Sequence, residues 1–211
     1  KHPDVAFESC SSGGGRSDYG ALSHFDQVWT SDNTSAIDRM MMQKWFTYLR
    51  PTKVMRAWVT DVNWYNPPMS LDFRFHVAMQ GALGVGGNLT KYSLGDLATA
   101  KKNVTLYKEI RHIVQMGDLY RILDPDRDEI LFNLYVTEDK TEAVAFLSSV
   151  VTRFMQKEIP LRFMGLDDEK IYKLKIGKEK YEKSGAYLKN VGIPVTVRGM
   201  GYNTIIKIKA K

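Results

Sequence analysis

Four times in its first half the chain repeats one unit: a short apolar run, a polar or glycine-rich loop, then a longer segment with helical spacing. The apolar runs are residues 5–9, 27–30, 54–60 and, more weakly, 82–86, and the helical segments are 19–25, 35–49, 71–81 and 94–115. Strand starts about 22 to 30 residues apart suit βα units whose strands run parallel in a sheet or barrel. Four such units make half of an eight-stranded barrel.

Past Gly117 the texture changes to short runs rich in Leu, Ile, Val and Tyr, broken by Asp-Pro-Asp-Arg-Asp, Glu-Asp-Lys and Gly-Leu-Asp-Asp-Glu. The runs at 119–123, 130–137, 143–151, 159–163, 171–176 and 204–209 predict an antiparallel β-sandwich of about 95 residues. The expected fold class is therefore α/β plus all-β, with half of a (β/α)8 barrel over residues 1–117 and a sandwich over 118–211.

Composition narrows the function classes. With 44% hydrophobic and 26% charged residues the chain has an ordinary globular balance, and it holds no apolar run of eighteen or more that would span a bilayer as a helix. The net charge of +6 gathers in stretches such as 173–183, where basic and apolar residues alternate at period two. That period describes the solvated face of a strand, not a nucleic-acid surface. One cysteine, Cys10, excludes an internal disulfide framework and fits a reducing compartment, so a cytoplasmic location is expected.

In parallel sheets and barrels, functional groups gather on the loops at the carboxyl ends of the strands. The first such loop, Glu8-Ser-Cys-Ser-Ser-Gly-Gly-Gly-Arg16, offers unobstructed N–H donors and close backbone approach, or is simply a flexible turn. It lacks the ending of a P-loop and the spacing of a dinucleotide fingerprint. The second, Trp29-Thr-Ser-Asp-Asn-Thr34, precedes a helix that Ser35 is expected to cap, with Asp38 completing a capping box. This leaves Asp32 either to chemistry or to backbone N–H groups of its own turn. The third loop, residues 61–69, brings Trp64 and Tyr65 to the same rim, with Trp58 in the strand before it, as sugar-stacking platforms or ordinary core. Three carboxylates, Glu8, Asp32 and Asp61, thus end neighbouring strands, and paired carboxylates over one face are what glycoside hydrolysis requires. The residues alone leave open which pair works, and whether the site turns substrate over or only binds it.

At these loops the sequence is similar to the melibiase-type α-galactosidases of glycoside hydrolase family 36. The resemblance rests on Phe7-Glu-Ser-Cys-Ser-Ser-Gly-Gly-Gly-Arg16, Asp26-Gln-Val-Trp-Thr-Ser-Asp-Asn-Thr34 and Leu71-Asp-Phe-Arg-Phe-His-Val-Ala-Met79. Tyr107-Lys-Glu-Ile-Arg111 and Gln115-Met-Gly-Asp-Leu-Tyr120 extend it. It implies a retaining hydrolase, free of metal and organic cofactor, that releases terminal α-linked galactose from melibiose, raffinose-type oligosaccharides or similar α-galactoside sugars. Asp32 matches the general acid/base, and Cys10, Ser12 and Gly13 match the loop that contacts the galactose ring. Arg16 and Trp29 belong to the same motifs and join the substrate-binding candidates. The family nucleophile is an aspartate in a Lys-Trp-Asp run on an earlier strand; no such run occurs here, so it is expected upstream, and this chain is expected to be the second half of the barrel. The complete enzyme is expected to be a homo-oligomer without nucleic-acid or membrane partners. Ser12 stands where many relatives have glycine, and residues 61–69 lack the Pro-Asn-His pattern of many members. Both bear on substrate preference and leave α-N-acetylgalactosaminidase activity as an alternative. A non-catalytic sugar-binding or structural module is the alternative from another class.

Overall fold

The computed structural model describes residues 2–11, 13–61, 69–149 and 157–211. The chain forms two compact units, residues 1–111 and 112–211.

In the first unit strands and helices alternate: β1 (Glu8–Ser9), α1 (Tyr19–Leu22), β2 (Gln27–Trp29), α2 (Ala36–Leu49), β3 (Met55–Val59), α3 (Leu71–Ala78), β4 (Ala82–Val85) and α4 (Leu94–Met116). All strand pairs are parallel, in the order β1-β2-β3-β4. Crossover helices must cover a face of such a sheet, and Val28 of β2 and Met55 of β3 bury themselves with Phe46 of α2, joined by Leu22 and Val54. Strand registers assign the opposite face. Glu8 pairs with Gln27, Trp29 with Arg56, Arg56 with Ala82 and Trp58 with Gly84. Period-two alternation therefore puts Glu8, Gln27, Trp29, Arg56, Trp58 and Gly84 on one surface, a mixed polar and aromatic face unlike the aliphatic one that meets the helices.

β1 is shorter than its apolar run. The Asp26 carboxylate accepts the Phe7 N–H at 2.8 Å, which takes that donor from the ladder, and Val5 and Phe7 stay exposed. On the far side, Tyr107 of α4 accepts the Leu83 N–H at 3.2 Å and donates to the Gly81 carbonyl at 2.7 Å, fastening the helix to the start of β4.

The second unit holds β5 (Asp118–Leu123), α5 (Pro125–Asp128), β6 (Ile130–Val136), β7 (Glu142–Ser149), β8 (Lys157–Leu161), β9 (Ile171–Ile176), β10 (Glu179–Ser184), α6 (Gly185–Asn190), β11 (Ile193–Val197) and β12 (Asn203–Ala210). Six strands form an antiparallel sheet in the order β10-β9-β12-β7-β6-β5, and β11 pairs with β8 as a ribbon. One core joins Phe132, Leu134, Ala145, Leu147, Tyr172, Leu174, Ile206 and Ile208 of the sheet to Leu161 and Val195 of the ribbon. Among the described residues the second layer of the expected sandwich is thus a two-stranded ribbon, not a full sheet. β6 and β7 are buried on both faces, which is why they read as continuous apolar runs. β9 alternates, with Tyr172, Leu174 and Ile176 inward and Lys173 and Lys175 exposed, so its basic residues form a solvated face. Positions 150–151 of the expected run 143–151 lie outside the described residues. Among the described residues no helix is long and apolar enough to cross a membrane.

Candidate active site

β2 ends at Trp29, and the loop that follows carries Asp32 past the carboxyl end of the sheet. Asp32 is exposed, and its Oδ1 accepts the Trp29 indole N–H at 2.8 Å. The chain therefore holds this carboxylate through a side chain of its own strand, not through the backbone N–H groups of its turn. Ser35 begins α2 without a side-chain cap, which corrects the expected capping box. The loop is closed by Asn33 instead: its Oδ1 accepts the Ser35 N–H at 3.0 Å and its Nδ2 donates to Asp38 Oδ2 at 2.8 Å. An amide can give and accept at once, so Asn33 takes the Ser35 N–H that Asp38 was expected to accept and occupies the Asp38 carboxylate as well.

The glycine loop lies directly against the Asp32 loop. Gly13 and Gly14 have φ of +69° and +95°, in the region that side chains avoid. A Cβ at Gly13 would stand 2.6 Å from the Asp32 backbone nitrogen and 3.2 Å from its carboxyl carbon, and one at Gly14 would stand 2.5 Å from the Thr30 carbonyl oxygen. The Ser11 carbonyl accepts the Gly15 N–H at 2.9 Å, and Ser9 Oγ donates to the Arg16 carbonyl at 3.2 Å. Cys10 and Arg16 are exposed. The structure thus brings Gly13, Trp29 and Asp32 together and leaves Cys10 and Arg16 open to solvent on the adjoining loop. Ser12, Trp64 and Tyr65 lie outside the described residues.

The other two carboxylates have partners. Glu8 Oε2 stands 2.6 Å from Arg56 Nε, an ion pair without hydrogen-bond alignment that crosses β2 on the mixed face. Asp61 accepts the Asn88 N–H through both oxygens, at 3.3 and 3.2 Å. Nearby, burial pushes the Tyr92 hydroxyl above its ordinary range, opposed by the Arg74 charge. Among the described residues no cluster of three or more His, Cys, Asp and Glu side chains could hold a metal ion.

Arg39 and the surroundings of Trp58 were not anticipated. Arg39 is 2% exposed and donates to the Ser31 carbonyl at 3.2 Å and the Arg56 carbonyl at 2.6 Å. Its guanidinium carbon lies 5.5 Å from the centroid of the Trp29 ring, and burial pulls its pKa down to about 10, still charged at neutral pH. Trp58 meets Trp29 edge to face, with centroids 4.9 Å apart at 65°. Its ring fills the space beside Gly84 and Gly86, where any Cβ would collide with it. The sequence does carry a signal for Arg39, which shares a helix face with Ala36, Met40 and Gln43. A cation on a buried face needs a named partner.

Comparison with known proteins follows the same division of the chain. Residues 1–117 match the family described as Melibiase, and residues 132–204 match the Glycosyl hydrolase family 36 C-terminal domain. α-Galactosidase AgaA of Geobacillus stearothermophilus is 35% identical over 176 residues, which cover 82% of this chain and 24% of that protein. α-Galactosidase C of Emericella nidulans is 34% identical over 198 residues, covering 93% and 26%. A solved structure of an AgaA variant in complex with raffinose superposes with a TM-score of 0.92 at 32% identity, covering 98% of this chain and 29% of that one. The galactosidase domain of the α-galactosidase-sucrose kinase AgaSK gives 0.93 at 28% identity, covering 100% and 29%. The chain spans about a quarter of the length of the curated relatives it matches.

Proposed function

Since the chain belongs to glycoside hydrolase family 36, we propose that it is the carboxy-terminal part of a retaining α-galactosidase: the second half of the catalytic barrel, with Asp32 as general acid/base, followed by a β-domain. The observation that carries this reading is the setting of Asp32. It follows a parallel strand at the carboxyl end of the sheet, is gripped by Trp29, and is crowded by a glycine loop with no room for side chains. Glu8 and Asp61, the other carboxylates at that end, are engaged by Arg56 and by the Asn88 N–H, which leaves Asp32 as the carboxylate of this chain best suited to proton transfer.

In this mechanism an upstream aspartate attacks the anomeric carbon while Asp32 gives a proton to the departing oxygen, and Asp32 then takes a proton from the water that releases galactose. The two carboxyls of such a site stand about 5–5.5 Å apart. The family resemblance assigns Cys10, Ser12, Gly13 and Arg16 to the sugar side. Structures of AgaA variants with raffinose and with stachyose support galacto-oligosaccharides as the substrate class.

The test is Asp32→Ala in the complete enzyme. Cleavage of melibiose is expected to collapse while aryl galactosides with good leaving groups keep most of their rate for galactosyl transfer, and azide restores turnover as galactosyl azide. Wild-type rates on every substrate would remove Asp32 from the acid/base role.

A further inference from the structure

We infer that Trp29 is a positioning residue for proton transfer: its indole N–H holds Oδ1 of Asp32, so that the catalytic proton sits on Oδ2. This rests on the acid/base reading of Asp32 and goes beyond it.

An indole N–H donates and never accepts. When Asp32 is protonated, the bond from Trp29 Nε1 at 2.8 Å is strongest to the carbonyl oxygen, the better acceptor, which favours the hydroxyl on the other oxygen. The bond thus selects one of two otherwise equivalent oxygens as the proton's carrier. As the proton leaves for the glycosidic oxygen, the carboxyl becomes a carboxylate and the same N–H bond becomes charge-assisted and stronger. An interaction that strengthens along the reaction stabilises the transition state more than the ground state, which is the condition for raising rate and not merely affinity.

A donor can do this only if it is held still. Trp29 is 9% exposed, with the edge of Trp58 on one side and the Arg39 guanidinium over its ring. Both neighbours are fixed in turn, Arg39 by the carbonyls of Ser31 and Arg56, and Trp58 by the side-chain-free flank of Gly84 and Gly86. Trp58 is the same residue type in the same aromatic pair, yet its indole nitrogen is buried without a hydrogen-bond partner. The two tryptophans therefore separate the N–H from the packing.

The experiment compares Trp29→Phe and Trp58→Phe with wild type and Asp32→Ala in the complete enzyme, using melibiose as the poor leaving group and 2,4-dinitrophenyl α-galactoside as the good one. Trp29→Phe is expected to lower kcat on melibiose about ten- to a hundredfold, with KM and the dinitrophenyl rate within about threefold. Trp58→Phe is expected to move both substrates by the same factor. If Trp29→Phe does not fold, benzothienylalanine at position 29 keeps the bicyclic shape while removing the N–H, and the same split is expected. Equal loss on both substrates, or no loss, would overturn the inference while Asp32→Ala still behaved as an acid/base variant. If Asp32→Ala left melibiose cleavage intact, the acid/base reading itself would fall.

Discussion

Gly13 and Arg39 both fix the Asp32 loop, one by having no side chain and the other by burying a charged one. Gly13→Ala is expected to cost about 1–2 kcal/mol from the left-handed backbone alone. The added methyl must also push the Asp32 backbone away, since it would start 2.6 Å from that nitrogen. The expected outcome is a lower Tm together with a kcat loss on melibiose larger than the change in KM, read by differential scanning calorimetry and steady-state kinetics. Arg39→Met removes a donor from two carbonyls, but Thr30 Oγ1 still serves the Arg56 carbonyl at 2.9 Å, so only Ser31 loses its Arg39 contact without that substitute. Relief of the buried charge offsets part of the loss, and a net destabilisation of about 1–2 kcal/mol is expected in urea titrations. At this scale the sequence could mark Asp32 as a carboxylate between a strand and a helix. It could not reveal the Trp29 bond, because a strand residue and a loop residue three positions on meet only if the chain turns back on itself. The Asn33 closure was hidden for a similar reason: Ser35 with Asp38 has capping-box spacing, and only the folded loop shows that Asn33 bonds to both of them.

Elements with a long uninterrupted apolar or alternating run were legible, and short, interrupted or polar ones were not. The runs behind β6, β7, β9 and β12 are long, apolar or cleanly alternating, and each lies within two residues of its expected position at both ends. β10 has no buried residue and so no apolar stripe, and only its pairing with β9 across Gly177 defines it as a strand. β11 passed unread because Pro194 interrupts a five-residue run; it is tolerated in a two-stranded ribbon, where it faces Pro160. The turn between β6 and β7 gives a prediction belonging to this scale. Asp139 accepts from the Thr137 hydroxyl at 2.6 Å and from the Thr141 N–H at 3.0 Å, and these bonds lower its pKa from 3.8 to about 2. Its folded pKa lies below its unfolded one, so its contribution is fully present above about pH 4 and is lost as pH falls toward 2. Asp139→Asn should remove that part of the acid dependence. Circular dichroism of acid-titrated protein checks it, and superimposable wild-type and variant slopes between pH 4 and 2 would refute it.

For the whole molecule the decisive surface is the one carrying Glu8, Trp29, Arg56 and Trp58. Parallel sheets are normally covered on both faces, whereas here the Glu8 and Arg56 side chains remain 33% and 27% exposed. Among the described residues β1 and β4 each lack a partner on their outer edge. With the nucleophile proposed to lie upstream, the 211-residue chain is predicted to hydrolyse no α-galactoside alone. Mixing it with the upstream portion of the barrel should restore activity in an aryl α-galactoside assay. Activity of the chain alone, abolished by changing Glu8 or Asp61, would show that the nucleophile lies within it.

The two strand orders also set a timetable for synthesis. In the first unit each new strand lies beside the one made just before it, so the sheet can grow as the ribosome delivers it. In the second, β12 sits between β9 and β7 although it is made after every other strand of its sheet. Until residues 203–210 emerge, β10-β9 and β7-β6-β5 are two separate pieces with open inner edges that no earlier part of the sheet can fill. A nascent chain stalled before residue 203 would therefore present β7 and β9 to whatever strand came near, and chaperone demand should fall on that interval of translation.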